Sequence, residues 1–254
     1  MDETPPQSPP VVWQASHHKS GTVAVRKVVW SVGISLGWTT LRPVGHHDIY
    51  RQLGAFNRSV VDSSIAFTSP TVVLDSHSRI PVPSGPHVKG VHVIRDPRKI
   101  ILSGVVYHRH TEEEWALLPQ VQFGGKSYQQ VLRESSDLDA VHREIDNART
   151  TLEAMLDWDY SDTRFRNVRL EVLERSPRAW LELLTFLFPD ANLGQKLLPV
   201  WRFSKGIQRL RDRFKPHTKR HFSSNLSPTP RWQPEHEEHF HSIFGERFQW
   251  LGYQ

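Results

Sequence analysis

Cysteine is absent from this 254-residue chain. With it go disulfides, thiolate nucleophiles and sulfur-ligated metal centres. That absence fits a reducing compartment, and a cytoplasmic setting is the expectation. No apolar run approaches the roughly 18 residues that read as a membrane span. The start, Met1-Asp2-Glu3-Thr4-Pro5-Pro6, lacks the basic and then apolar regions of a secretion signal. No repeat at solenoid or propeller periods is present. Acidic residues are the minority charge, 27 against 32 Lys and Arg, for a formal net charge of +5. A basic surplus suits an anionic ligand, but no nucleic-acid recognition motif accompanies it, so no nucleic-acid partner is expected. His236-Glu237-Glu238-His239-Phe240-His241 fails the His-Glu-x-x-His zinc pattern at Phe240. Its histidines are expected on the surface of an acidic helix, and no metal is expected.

The length suits one large α/β domain. Residues 1–10 read as a disordered leader and 11–254 as a single domain. The stretch that organises the rest is Val11-Val12-Trp13-Gln14-Ala15, then Ser16-His17-His18-Lys19-Ser20-Gly21-Thr22, then Val23 onward. An apolar run stops at a polar turn, and a helical pattern starts at once, with Val25, Val28, Val29, Val32 and Leu36 at three- and four-residue steps. This is how a strand, an anion-binding loop and a helix read. The first N–H groups of a helix have no partners within it and point at whatever lies before it. Lys19 adds a mobile positive charge, and Ser20 and Thr22 add hydroxyls. In a Walker loop the lysine follows a glycine and a second glycine lies well upstream. Here Lys19 precedes Gly21 and the upstream glycine is missing, which argues against a nucleotide kinase.

Further strands are predicted at Thr71–Leu74, ending at Asp75-Ser76-His77, and at Val88–Ile94. Ligands of open parallel sheets bind outside the carboxyl ends of the strands, so His77 and Lys19 belong on one rim if both strands run parallel. After Ile94 come Arg95, Asp96 as an N-cap and Pro97 as the first residue of a helix reaching His108. Helices are also predicted near Thr111–Trp115, over Gln129–Arg133, over Leu138–Leu156, over Arg178–Leu187 and over Pro234–Phe244 with Gly245 as the stop. Asn167–Leu173 reads as one more strand. The segment from Trp201 to Arg220 is the most basic. Trp38, Trp115, Tyr128 and Trp158 are candidates to line an acceptor pocket.

Lys19-Ser20-Gly21-Thr22 resembles the 5′-phosphosulfate loop of sulfotransferases that use 3′-phosphoadenosine-5′-phosphosulfate (PAPS). Val93-Ile94-Arg95-Asp96-Pro97-Arg98, with Ser103 eight positions after Arg95, resembles that family's 3′-phosphate element. The resemblance extends from about Val11 to Tyr253 and is weakest over Leu117–Asp159. It departs from the family in two places. Leu170 stands where a tyrosine usually touches the nucleotide. Ser223 to Trp232 keeps the tryptophan of the closing element but lacks its Arg-Lys-Gly triplet.

The resemblance implies a three-layer α/β/α fold with a central parallel sheet, like that of the P-loop nucleoside-triphosphate hydrolases. It implies transfer of a sulfuryl group from PAPS, as co-substrate, to the hydroxyl or amine of a small-molecule, lipid or glycan acceptor. Lys19, Ser20, Gly21, Thr22 and Val23 would then hold the 5′-phosphosulfate, and Arg95 and Ser103 the 3′-phosphate. Lys19 and His77 would be catalytic. His77 lies where many members carry their base, and Asp75, two positions away, is the alternative. A member that binds nucleotide or sulfated glycan without catalysis is the remaining alternative.

Overall fold

The computed structural model describes residues 8–42, 67–78, 80–204 and 229–253. Most of the expected leader, the Gly45–Asp48 turn and the piece around Ile49–Phe56 lie outside them. So do the basic run from Lys205 to Arg220 and the Ser223–Pro228 part of the closing element.

In chain order the elements are β1 (Val11–Ser16), α1 (Thr22–Ser35), β2 (Thr39–Leu41), β3 (Thr71–Asp75), β4 (Val88–Ile94), α2 (Pro97–His108), α3 (Glu114–Leu117), α4 (Tyr128–Glu134), α5 (Asp137–Leu156), β5 (Phe165–Arg169), α6 (Leu170–Arg175), α7 (Pro177–Leu187), α8 (Leu193–Phe203) and α9 (Pro234–Phe244). They fall into two compact units, Met1–Ile94 with Asp159–Pro216, and Arg95–Trp158 with His217–Gln254.

The first unit holds the whole sheet. Its order is β2-β3-β1-β4-β5, and every pairing is parallel. Strands β1 and β3 are buried along their full length, which is why they read in sequence as unbroken apolar runs rather than alternating ones. From β1 the chain goes out to β2 and back to β3 on one side, then crosses to β4 on the other. That reversal is the switch point at which open α/β sheets bind ligands.

Helix α1 lies on the sheet through Val25, Val28, Val29 and Val32. Gly33 lets it come close, because a Cβ there would collide with Val72 of β3. Trp180, Leu183, Leu184 and Leu187 of α7 and Val200 of α8 complete this core. Helix α8, which the sequence did not suggest, runs antiparallel to α1, with Gln195 Nε2 donating to the Ser35 carbonyl at 3.0 Å and Lys27 over the Phe203 ring.

One expected strand is shorter than its pattern. Asn167–Leu173 is extended only to Arg169 and then turns into α6. Leu170 and Leu173, three apart, are both buried on the helix, while Val172 is largely exposed.

The second unit is helical. Asp96 caps α2 by accepting from the Arg98 N–H at 3.0 Å, with Pro97 in the first position. Ser127 and Gln130 form a capping box on α4. Between α2, α4 and α5 lies a buried polar cluster. Glu144 accepts from the Tyr128 hydroxyl at 2.8 Å and pairs with His108 Nδ1 at 2.9 Å. Burial, reinforced by Glu144, pushes the Tyr128 phenol far up. Tyr128 is thus a core residue and not part of an acceptor pocket. On α9, His236 is fully buried, contrary to the surface expectation, and is bonded to the Gln233 N–H and the Leu138 carbonyl. His239 pairs with Asp146. No group of three or more His, Asp or Glu residues is placed to hold a metal among the described residues. No helix among them is long and apolar enough to cross a membrane.

Candidate active site

The turn between β1 and α1 is built by internal hydrogen bonds. The His17 carbonyl accepts the Ser20 N–H at 3.0 Å, the Ser20 hydroxyl at 2.8 Å and the Thr22 hydroxyl at 2.9 Å. The His17 N–H in turn donates to Ser20 Oγ at 2.9 Å. A line of donors runs up from the strand, with Gln14 Nε2 donating to Ser16 Oγ at 2.9 Å and Ser16 Oγ donating to Thr22 Oγ1 at 3.0 Å. Ser20 is fully buried, so its hydroxyl ties the loop together rather than facing a ligand.

Two residues take the left-handed conformation, Lys19 at φ 63° and Gly21 at φ 91°. Gly21 is needed twice over. Its φ suits glycine, and a Cβ there would run into Leu170, the first residue of α6. The turn delivers the chain to α1 with no side chain capping the helix and no acid in its first turn. Among the described residues the N–H groups of Gly21, Thr22 and Val23 make no hydrogen bond. Three orphan donors at a helix start, beside the half-buried Lys19, form a cradle for an anion.

The end of β3 sits against this loop. Ser78 Oγ donates to the Ser16 carbonyl at 2.9 Å, and the His77 ring stacks on the His18 ring at 6.3 Å with planes 14° apart. Asp75 is 3% exposed, and its two oxygens accept the N–H groups of His77 and Ile80, each at 3.1 Å. It holds the turn that presents His77, which is exposed. Of the two candidate bases, His77 is the exposed one and Asp75 the buried one.

Sequence reasoning missed the pair beneath the loop. His17 and His92 are 1% and 0% exposed and meet through their Nε2 atoms at 2.8 Å. His92 Nδ1 lies 3.0 Å from Asn167 Oδ1 on β5. Burial, followed by the charge of His77, lowers the His17 pKa to about 4. Burial, then His17, puts His92 well below the ordinary histidine value, against the raising effect of Asn167. The residues are 75 positions apart, and only the strand register that sets Ala15 beside His92 brings them together.

The structure therefore brings Lys19, Ser20, Gly21, Thr22, Val23 and His77 to one rim of the first unit. Arg95 and Ser103 belong to the second unit, at the step into α2 and on its second turn. Arg98, from the same motif, is engaged structurally. It forms a two-point ion pair with Glu237, whose Oε2 also accepts from Trp232 Nε1 at 2.7 Å. Glu237 is held below the usual carboxylate range chiefly by that Arg98 bond. The tryptophan of the closing element thus serves to fix α9.

The sequence matches no family model and no curated protein. The structure does match solved ones. Over 96% of this chain and 85% of the other, it superposes on mouse sulfotransferase SULT7A1 complexed with PAP, with a TM-score of 0.54 at 13% identity. The chain has the sulfotransferase fold. Its five-stranded, all-parallel sheet flanked by helices is the P-loop-like arrangement expected from the sequence. Retinol dehydratase is similar at lower scores. In complex with androsterone and inactive cofactor PAP it gives a TM-score of 0.47 at 14% identity, covering 96% of this chain and 82% of that one. In a complex with retinol and PAP it gives 0.41 at 14% identity, covering 97% and 81%.

Proposed function

We propose that the chain transfers a sulfuryl group from PAPS to the hydroxyl or amine of a small-molecule, lipid or glycan acceptor, in a cytoplasmic setting. The observation that carries this reading is the cradle at the start of α1. Three backbone N–H groups with no partner among the described residues start the helix there, two positions after Lys19 in the chain, and an exposed histidine is tied to the same rim by the Ser78–Ser16 bond. The same fold in mouse SULT7A1 was crystallised with PAP, which supports a nucleotide of this type.

Sulfuryl transfer, like phosphoryl transfer, asks the protein mainly to position groups and to stabilise charge. In this reading the Gly21, Thr22 and Val23 amides and Lys19 hold the 5′-phosphosulfate. Arg95 and Ser103 take the 3′-phosphate, for which a planar guanidinium is well suited. His77 removes the proton from the acceptor as its oxygen attacks sulfur in line with the breaking bond to the 5′-phosphate. Charge grows on the departing phosphate, where Lys19 and the amide donors meet it. His77 is left protonated and releases that proton to solvent.

The test is transfer of labelled sulfate from PAPS across a panel of phenols, sterols, lipid alcohols and glycans, beside calorimetric binding of 3′,5′-bisphosphoadenosine. Binding of the bisphosphate with transfer to at least one acceptor class is expected. Tight binding of ATP with Mg²⁺ and none of the bisphosphate would overturn the reading in favour of a kinase. Binding without transfer to any acceptor would favour a non-catalytic nucleotide binder.

A further inference from the structure

The buried histidine pair offers more than a strut, because its hydrogen-bond chain has one open end. Asn167 Oδ1 accepts from His92 Nδ1–H, which leaves His92 Nε2 as an acceptor for His17 Nε2–H. His17 Nδ1 then carries a lone pair and makes no hydrogen bond among the described residues. A proton added at that nitrogen breaks none of the bonds in the chain. If the Asn167 amide is turned the other way, both unprotonated ring nitrogens already accept a bond, and uptake of a proton turns the amide back so that Oδ1 faces His92.

The pair is also fastened to the anion cradle. The carbonyl of His17 receives the Ser20 and Thr22 hydroxyls and the Ser20 N–H, so the backbone that aims the Gly21–Val23 donors is the backbone of His17. We propose that the His17–His92–Asn167 chain couples the loop to proton uptake, so that an anion captured at the start of α1 draws one proton onto the buried pair. This rests on the functional reading above and assigns the pair a role that reading does not use. His17 and His92 are positioning residues, since both rings are buried beneath the loop.

The driving force is electrostatic. In the empty protein, burial and the neighbouring His77 keep the pair uncharged, with His17 at about 4. The groups around it are His18 and Lys19 on its own loop, Asp75 and His77 at the end of β3, and Tyr160 ahead of β5. Lys19, and His18 or His77 when protonated, oppose a further positive charge. A phosphate dianion in the cradle reverses that balance, and an opposite charge in a low-dielectric site raises a histidine pKa by one to several units. By linkage, affinity must then increase as the pH falls towards the empty-state pKa, by at most about tenfold per pH unit for one proton.

The experiment is calorimetric titration of 3′,5′-bisphosphoadenosine into the full chain at pH 5, in two buffers of different ionisation enthalpy. The wild type is expected to take up between about a half and one proton per nucleotide beyond the uptake of the variants. His17→Gln removes the nitrogen at which the proton is added and keeps a hydrogen-bonding side chain beside His92. Asn167→Asp sets a carboxylate beside His92, so the pair is already protonated before the nucleotide arrives. Both variants should bind with the excess uptake lost, and their affinity should be flatter than wild type between pH 7 and 5. The nucleotide's own phosphate titration is common to all three and cancels.

Imidazole ¹⁵N shifts supply an independent readout. They should show the pair neutral in the empty wild type at pH 5, and protonated in Asn167→Asp or once nucleotide is bound. Equal proton counts in all three proteins, or a pair that stays neutral when nucleotide is bound, would overturn the coupling alone. A folded wild type that binds no bisphosphate would overturn the parent reading and the coupling with it.

Discussion

Gly21→Ala tests the loop where backbone and packing constraints coincide. The new methyl group meets two separate costs. At φ 91° the residue is in the left-handed region, which costs an L-residue roughly 1–2 kcal/mol. Its Cβ would also overlap the Leu170 side chain, and overpacking of that kind costs about 1–3 kcal/mol. Together the substitution should destabilise the fold by about 2–5 kcal/mol. The two costs separate in a double-mutant cycle. Leu170→Ala alone, at a site only 3% exposed, should cost about 2–5 kcal/mol through the cavity it leaves. Combined with Gly21→Ala it should cost less than the sum by about 1–3 kcal/mol, because the overlap has gone while the backbone strain stays. Urea denaturation of the four proteins, compared at equal m-values, gives the coupling directly. Additive losses, or a Gly21→Ala protein as stable as wild type, would refute the account of how the loop is seated on α6.

Lys19→Ala should leave the melting temperature nearly unchanged, since the side chain is partly exposed, and lower the rate of sulfate transfer by about 10²- to 10³-fold. His77→Ala should abolish transfer while the bisphosphate still binds; an unaltered rate would remove His77 from the role of base. Asp75→Ala unpairs two backbone N–H groups, so a loss of about 1–3 kcal/mol in denaturant stability is expected. In acid the direction follows from His17. Its pKa is lowered from an ordinary 6.5 to about 4, so between those values the unfolded chain binds more protons than the native one. Stability is therefore full above about 6.5, falls as the pH drops towards 4 by up to about 3 kcal/mol, and levels off below. A His17→Gln protein should lack that component in stability curves measured across pH 4–7.

The parts of the fold that were legible in the sequence are those whose physics is local. Strands β1, β3 and β4 are buried on both faces, so each reads as an uninterrupted apolar stretch. Helices α1, α2, α5 and α9 begin and end on residues with a local reason to be there, such as Asp96 with Pro97 before α2 and Gly245, at φ 53°, after α9. The strand expected to run through Leu173 failed because Val168, Leu170 and Val172 alternate with charged residues, which is the signature of a strand. Burial of Leu170 and Leu173 together satisfied the competing helical spacing, at the expense of leaving Val172 exposed. Helix α8 was hidden by Pro199 in its interior, and β2 by being three residues long. In the candidate site the lysine loop and His77 could be named from type and spacing. The inward turn of Ser20, the structural use of Asp75 and the meeting of His17 with His92 all depend on strand register, which no short window of sequence contains.

The tethering of this loop also bears on how its chemistry would show in an alanine scan. The Ser20 and Thr22 hydroxyls already bond the His17 carbonyl, while the donors left over at Gly21, Thr22 and Val23 are main-chain groups that every residue except proline supplies. Truncating side chains would loosen the tether and remove the lysine charge, yet leave each amide in place. A tolerant scan at Ser20, Thr22 and Val23 would therefore not mean that those positions are idle. In the proposed function the recognising groups are peptide bonds, and an amide-to-ester replacement at Thr22 or Val23 would read them where side-chain truncation does not.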